Sequence, residues 1–304
     1  MSSNASSPTA SMIQDDAAAP AQRPLPQQSW FHLPAPVKRV FDRFPLITYE
    51  ENELPLRSAA REDGNVLHVF TTVEEGQTGR PSYNPGCLRW QAYLRFAGVE
   101  FRTVASSNHA SPSGILPFLM PAVQSPGEQR QAIPSSKIKK WTSKYATRSV
   151  GEPSDKRYEA YMSLSETAIR KAWLYQLYIS PENAKVVHKL YVAPCSTNPL
   201  VQASISYNLR QAAETELAKS SYSGTISETD IFSDAEDAFA ALDSLLGSTE
   251  WYFEAPSMLD AALFAYTHLI LDEGMAWGDN KLGALLGKKN SLVAHRERIL
   301  DVYF

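Results

Sequence analysis

Three side chains that could carry thiol or hydroxyl chemistry lie close together in the sequence, at Ser82, Tyr83 and Cys87. The pair Asn84-Pro85 between them is typical of a helix start, because Asn caps a helix and Pro suits its first position. We therefore expect all three near the N-terminus of a helix. A hydroxyl there can stabilise a bound thiolate, and a cysteine there can itself become one.

The surroundings of these residues argue against such chemistry. Cys87 falls inside an apolar helix pattern, where a cysteine is more often a small core residue than a nucleophile. The second cysteine, Cys195, lies in a Pro- and Asn-rich connection without a basic neighbour. The six histidines are scattered, and no Cys/His cluster has metal-ligand spacing. We therefore predict no catalytic residue, no metal site and no cofactor, and we expect a protein that is not an enzyme.

Composition argues against several classes of function and location. The 304 residues are 43% hydrophobic, which is enough for a core, and the formal net charge of −4 gives no global case for nucleic-acid binding. Two cysteines fit a reducing compartment. The apolar run 258–271 carries Asp260 and His268 and is shorter than the about 20 residues a bilayer requires, so we predict no transmembrane helix. Asp15 and Asp16 argue against a matrix-targeting presequence, and no secretory signal is visible.

The chain divides into four regions by composition and periodicity. Residues 1–28 are rich in Ser, Ala, Pro and Gln and predict a disordered tail. Residues 29–64 form an apolar-basic arm followed by a polar connection. Residues 65–150 alternate strand and helix signals, and residues 151–304 show helical periodicity throughout.

The local signals predict individual elements. Strands are expected at 66–70, 100–105, 116–120 and 131–133, and helices at 86–97 and 137–145, the latter capped by Ser135. Later helices are expected at 158–179, 182–191, 199–219, 233–246, 258–271, 281–286 and 292–303, with a long polar loop at 220–229. A strand entered through Pro117 must be an edge strand or begin with a special peptide geometry. Ser257 and Asp260 match a capping box, so we predict a structural role for Asp260.

This order of elements resembles the glutathione transferase fold, in which an α+β thioredoxin-like mixed sheet precedes an all-α C-terminal domain. The resemblance implies that Ser82, Tyr83 or Cys87 would stabilise a thiolate and that a cis Pro117 would present backbone groups. In that fold an acidic residue followed by Ser, after the fourth strand, binds the glutamyl end of glutathione. Here that place reads Pro134-Ser135-Ser136, so the acid is missing. A glutathione transferase-like enzyme is the alternative function.

The arm carries the longest motif of the chain, PAPVKRVFDRFPLITY over residues 34–49. It resembles the N-terminal signature of the fungal metaxin-like subunit of the mitochondrial sorting and assembly machinery, the SAM or TOB complex. The signature reads P-V-K-R-I/V-F-D-x-F-P-L-x-T-Y. Residues 36–42, 44–46 and 48–49 fit it.

The resemblance implies a peripheral protein on the cytosolic face of the mitochondrial outer membrane. It would help recognise the C-terminal β-signal of β-barrel precursors and support their folding and insertion. Its expected partners are the β-barrel core subunit, a second metaxin-like subunit and the precursors themselves, with membrane surface contact and no nucleic acid. A transferase-like scaffold of a cytosolic complex is a further alternative.

Two surfaces are predicted to make these contacts. The arm would dock through apolar anchors and basic side chains, or would instead pack across its own sheet. The residues predicted to bind a partner are Pro36, Lys38, Arg39, Phe41, Arg43, Phe44, Leu46 and Tyr49. Lys137, Lys140 and Lys144 fall at helical spacing and are predicted to face anionic lipid headgroups, with a solvated helix face as the alternative.

Overall fold

The computed structural model describes residues 64–122, 130–148, 150, 153–220 and 225–304. The predicted tail and arm therefore lie outside the described residues. The strands within these ranges are β1 Asn65–Val69, β2 Phe101–Ala105, β3 Phe118–Met120 and β4 Ile133–Pro134. The helices around them are α1 Val73–Thr78, α2 Pro85–Phe96 and α3 Ser135–Tyr145, with a 3₁₀ turn at Asn108–Ala110.

The strands form one mixed sheet in the order β2-β1-β3-β4. β1 pairs in parallel with β2, with Leu67 opposite Thr103, and antiparallel with β3, with Leu67 opposite Leu119. β3 pairs antiparallel with β4. Leu67 and Leu119 are fully buried, as expected at the centre of a sheet covered by helices. This mixed sheet with α2 and α3 is the predicted thioredoxin-like half.

All regular secondary structure in the described chain after β4 is helical. One long helical stretch consists of α4 Arg157–Leu164, a π-helical turn Ser165–Ile169, α5 Arg170–Leu174 and a second π-helical turn Tyr175–Ile179. It is followed by a 3₁₀ turn Pro181–Asn183, α6 Ala184–Val187 and a π-helical turn His188–Val192. The remaining helices are α7 Pro199–Ser220, α8 Glu228–Leu246, α9 Met258–Leu271, α10 Lys281–Leu286 and α11 Asn290–Tyr303, with a 3₁₀ turn at Glu273–Met275.

The core centres on α9, which lies against α2. Residues 258–270 are all buried, and Phe264 of α9 and Phe96 of α2 are among the largest fully buried side chains. Burying a side chain of that size stabilises a fold by roughly 1.5–3 kcal/mol. The apolar run that is too short for a membrane is therefore the central helix of the second half.

Several local expectations are confirmed by the backbone. Asn84 caps α2, with its Oδ1 accepting from the Cys87 amide at 3.1 Å, and Gly98 follows the helix at a φ of 66°. The Leu116-Pro117 peptide is cis, and β3 lies between β1 and β4. The alternative that made the strand entered through Pro117 an edge strand is therefore wrong, and the special peptide geometry is correct.

Several boundaries differ from the sequence predictions. α1 lies between the predicted strand 66–70 and the predicted helix 86–97, where no helix was expected, and it forms because Thr72 accepts from the Glu75 amide and Gly79 adopts a left-handed conformation. Ser135 does not cap α3 but is its first residue, after Pro134. α8 begins at Glu228 instead of residue 233, because Ser227 accepts from the Asp230 amide at 3.3 Å. The predicted loop at 220–229 is shorter at both ends, since α7 also runs to Ser220.

Candidate functional site

The predicted thiol site lies in the loop between α1 and α2 and in the first turn of α2, and its serine already forms hydrogen bonds within the protein. Ser82 is fully buried, and its hydroxyl donates to the carbonyl of Phe70 at 2.5 Å. The same oxygen accepts from the Asn84 amide at 3.2 Å, while the Ser82 amide donates to Gln91 Oε1 at 2.7 Å. Because its proton and one lone pair are engaged within the loop, Ser82 fixes the backbone and presents no free hydroxyl to a ligand.

Cys87 lies in the first turn of α2 and is fully buried. Burial raises the pKa of its thiol to about 12, because a thiolate would lose its hydration there. A reactive cysteine needs a lowered pKa and access to solvent. Cys87 therefore packs as a small apolar residue of the core, in agreement with the interpretation of its sequence context.

Tyr83 belongs to an aromatic cluster that fills the space beside the start of α2. Its ring meets Tyr191 edge-on at 5.4 Å between centroids, and Phe70 meets Tyr191 in the same way at 5.6 Å. The Tyr191 hydroxyl accepts from Asn84 Nδ2 at 3.2 Å and donates to the carbonyl of Tyr83 at 3.4 Å. Burial raises the pKa of both Tyr83 and Tyr191 above the ordinary tyrosine value. Neither phenol is suited to form the phenolate that would activate a thiol.

The remaining parts of a glutathione site are incomplete. The cis Leu116-Pro117 bond is in place, and the Leu116 amide donates to Asn108 Oδ1 at 3.0 Å instead of facing a ligand. The first turn of α3, which begins at Ser135, contains no acidic residue. The ammonium group of a γ-glutamyl ligand would therefore find no counter-charge from this turn, as the sequence predicts.

Cysteine and histidine chemistry elsewhere is also limited. Cys195 is exposed, and its thiol donates to the carbonyl of Tyr191 at 3.2 Å. His68 stacks on Phe118 with 4.3 Å between ring centroids, and burial lowers its pKa. Across the described ranges no three His, Cys, Asp or Glu side chains are arranged to hold a metal ion.

The chain is similar to glutathione S-transferase domains and to metaxins. Residues 85–183 match the glutathione S-transferase N-terminal domain, and residues 235–299 match the glutathione S-transferase C-terminal domain. Metaxin-3 of Xenopus laevis is 29% identical over 194 residues, which cover 62% of each chain. Metaxin-1 of Macaca fascicularis is 29% identical over 239 residues, which cover 75% of this chain and 73% of that protein.

This chain is a metaxin-like protein with a glutathione-transferase-like fold.

A solved structure supports the fold independently. The metaxin-like chain superposes on a glutathione transferase from Phanerochaete chrysosporium with a TM-score of 0.51 and 15% identity, covering 79% of this chain and 98% of that one. At that identity the likeness concerns architecture, so it carries no residue roles. The chain spans 62% of the length of Metaxin-3 in this alignment.

Only one of the two predicted contact surfaces of the metaxin-like chain lies among the described residues. Lys137, Lys140 and Lys144 lie on the exposed side of α3, opposite the buried Ile138 and Thr142. None of them forms an ion pair with another described residue. The eight arm residues predicted to bind a partner lie outside the described residues. Both surfaces stay predictions.

Sequence reasoning identified Asp260 as a cap but missed its long-range partner. Asp260 Oδ2 accepts from the Ser257 amide at 2.9 Å and hydroxyl at 2.7 Å, which is the capping arrangement expected. Its Oδ1 accepts from the Tyr252 amide at 3.2 Å and lies 3.1 Å from His295 Nε2. All of these groups are buried. A buried histidine 35 positions away gives no local signal, so only the fold could show this pair.

Proposed function

We propose that this metaxin-like chain is a non-enzymatic subunit of the mitochondrial SAM/TOB complex. It would be held peripherally at the cytosolic face of the outer membrane, beside the β-barrel core subunit and a second metaxin-like subunit. There it would help recognise the β-signal of β-barrel precursors and support their folding and insertion.

The observation that carries the proposal is the motif at residues 34–49, supported by the metaxin relatives of the folded part. No helix in the described part of the chain is long and apolar enough to cross a bilayer. We expect partner contacts and the exposed basic side of α3 to hold the protein at the membrane, each lysine near an anionic surface contributing about 1 kcal/mol.

The geometry of the thiol site favours an adaptor over an enzyme. Ser82 is bonded within its loop, Cys87 is buried with a raised pKa, and Tyr191 occupies the neighbouring space. A β-signal is an extended peptide with alternating polar and apolar residues. Strand addition to a sheet edge or capture in an apolar groove would bind such a peptide without any covalent step.

Deletion of residues 34–49 tests the arm. We expect unchanged thermal unfolding and loss of co-purification with the β-barrel core subunit, because the anchors of the arm would bind the partner. Two matched variants divide the contribution of the arm: Phe41, Phe44 and Leu46 changed to Ser, and Lys38, Arg39 and Arg43 changed to Gln. If the deletion lowers the melting temperature sharply while the folded fraction still binds, the arm packs on its own sheet.

Fractionation tests the location and separates the alternatives. We expect the protein on mitochondria, extractable at high pH, with less retained when Lys137, Lys140 and Lys144 are all changed to Gln. A purely cytosolic distribution would favour the scaffold of a cytosolic complex. Retention on immobilised glutathione that is abolished by Pro117→Ala or Ser136→Ala would favour the transferase-like enzyme.

A further inference from the structure

A small pocket of about 300 Å³ opens at the N-terminus of α2, where this helix meets the long helical stretch and α9. It does not include Ser82, Tyr83, Cys87 or Pro117, so it is separate from the predicted thiol site. Its volume is at the lower limit of ordinary ligand pockets. The lining residues are Pro85, Gly86, Arg89, Ser165, Glu166, Arg170, Ala262 and Tyr266.

Two of the lining residues carry a buried hydrogen-bond donor without an acceptor. Ser165 is fully buried, and its hydroxyl has no hydrogen-bond partner in the described structure. The Nε of Arg89 is likewise buried and unpartnered there. Leaving such donors unpaired costs roughly 1–3 kcal/mol each. The pocket therefore favours a ligand that supplies acceptors.

The first turn of α2 adds one more donor. Pro85 has no amide hydrogen, the Cys87 amide is bound by Asn84 Oδ1, and the Leu88 amide by the Asn84 carbonyl. The Gly86 amide is thus the one left for a ligand among the first amides of the helix. Free amides at a helix N-terminus, together with the positive end of the helix dipole, favour anions.

The charged side chains of the lining also favour a ligand with acceptor oxygens. Arg89 donates to Glu166 through one nitrogen at 2.8 Å, and Glu166 is half-exposed. Arg170 forms a bidentate pair with Glu216 at 2.8 and 3.1 Å. Both arginines of the lining are thus paired with glutamates, and the guanidinium of Arg89 keeps nitrogens beyond the one that Glu166 accepts from. The lining favours an oxyanion through its hydrogen-bond donors, not through a net positive charge.

We propose that this pocket binds a small oxyanion, such as inorganic phosphate or a small carboxylate. The Gly86 amide, the Ser165 hydroxyl and the Arg89 guanidinium bind its oxygens. The apolar side chains of Pro85 and Ala262 limit its size. Anion binding at this pocket is a function separate from the proposed role in precursor assembly, and it does not depend on that role.

Thermal unfolding of the full chain, titrated with sodium phosphate or sodium acetate at constant ionic strength in chloride, tests the site. We expect a saturable rise in melting temperature with at least one of the two anions, because a ligand that binds only the folded state stabilises it. A rise with phosphate alone identifies a phosphate site, and a rise with acetate alone identifies a carboxylate site. No saturable rise with either anion overturns the proposal.

Variants locate the effect. Ser165→Ala removes an unpaired buried hydroxyl, so it folds at least as well as the parent, yet it should weaken anion binding by about tenfold. Arg89→Gln should weaken binding by at least as much. The matched controls are Ser163→Ala and Arg157→Gln, two exposed positions on α4 outside the pocket. Equal affinity in Ser165→Ala, Arg89→Gln and the parent contradicts the site, whatever the parent shows.

Discussion

Replacement of Asp260 by Ala is the sharpest test of what holds the helical half together. Its carboxylate accepts from two groups of Ser257 and from the Tyr252 amide, and it lies beside His295 Nε2. Asp260, Ser257 and His295 are all fully buried, so water cannot replace the lost acceptor. Because α9 is the central helix of the core, the damage would spread from its first turn.

The magnitude follows from these contacts. A buried donor left without an acceptor costs roughly 1–3 kcal/mol, and loss of an N-terminal cap costs about 0.5–2 kcal/mol. These contributions share one network and do not add fully. We therefore expect Asp260→Ala to lower the free energy of unfolding by about 4 kcal/mol. Asp260→Asn keeps the volume and one acceptor oxygen, so we expect about 2 kcal/mol.

Urea unfolding followed by far-ultraviolet circular dichroism measures both variants. Asp234→Ala, on the exposed side of α8, is the matched control and should change the stability by less than about 0.5 kcal/mol. A double-mutant cycle with His295→Ala should show a coupling of about 1 kcal/mol or more. If Asp260→Ala costs no more than Asp234→Ala, or if the cycle shows no coupling, the buried network does not stabilise α9. Should Asp260→Ala fail to fold, Asp260→Asn still provides the measurement.

Two further predictions concern the cysteines and a buried histidine. Ellman's reagent at pH 8 should label the exposed Cys195 quickly and the buried Cys87 only as fast as the protein opens. The variant Cys195→Ala should therefore lose the fast phase of labelling. Fast labelling in that variant would contradict the burial of the Cys87 thiol. Burial lowers the pKa of His268 to about 4, below its ordinary value of 6.5, so the unfolded chain binds the proton first as the pH falls. As the pH falls from 6.5 to 4, the free energy of unfolding should decrease by up to about 3 kcal/mol. Urea unfolding of His268→Gln should show a smaller decrease over the same range. Identical pH profiles of the parent and this variant would refute the assignment to His268.

Local signals in the sequence were sufficient for most of the fold. Asn84, Pro85 and Gly98 predicted the two ends of α2 correctly, because capping and a positive φ depend on the immediate neighbours. The capping pair Ser257 and Asp260 located the start of α9 for the same reason. The apolar periodicity of the second half predicted its helices, but it could not distinguish α-helical from π-helical turns, because each π-helical turn has only five residues and is too short to show a period of its own.

The contacts that decide the candidate sites were not predictable in this way. Tyr191 reaches Asn84 across 107 positions, and Arg89 reaches Glu166 across 77. Neither pair has a spacing that any local pattern encodes. The pocket at the start of α2 was missed because it is formed by three segments, each of which shows an ordinary helical pattern. Its unpaired Ser165 hydroxyl can be recognised only once burial is known.

The hydrogen bond from Ser82 to the Phe70 carbonyl has a consequence for protein engineering. Use of the Ser82 hydroxyl in thiol-transfer chemistry would require its proton to be freed from the Phe70 carbonyl, which means rebuilding the loop between α1 and α2. Tyr191 would also have to be replaced, since its ring and hydroxyl fill the neighbouring space. Thiol-transfer chemistry at this place would therefore require several substitutions, each of which removes a contact that holds the loop.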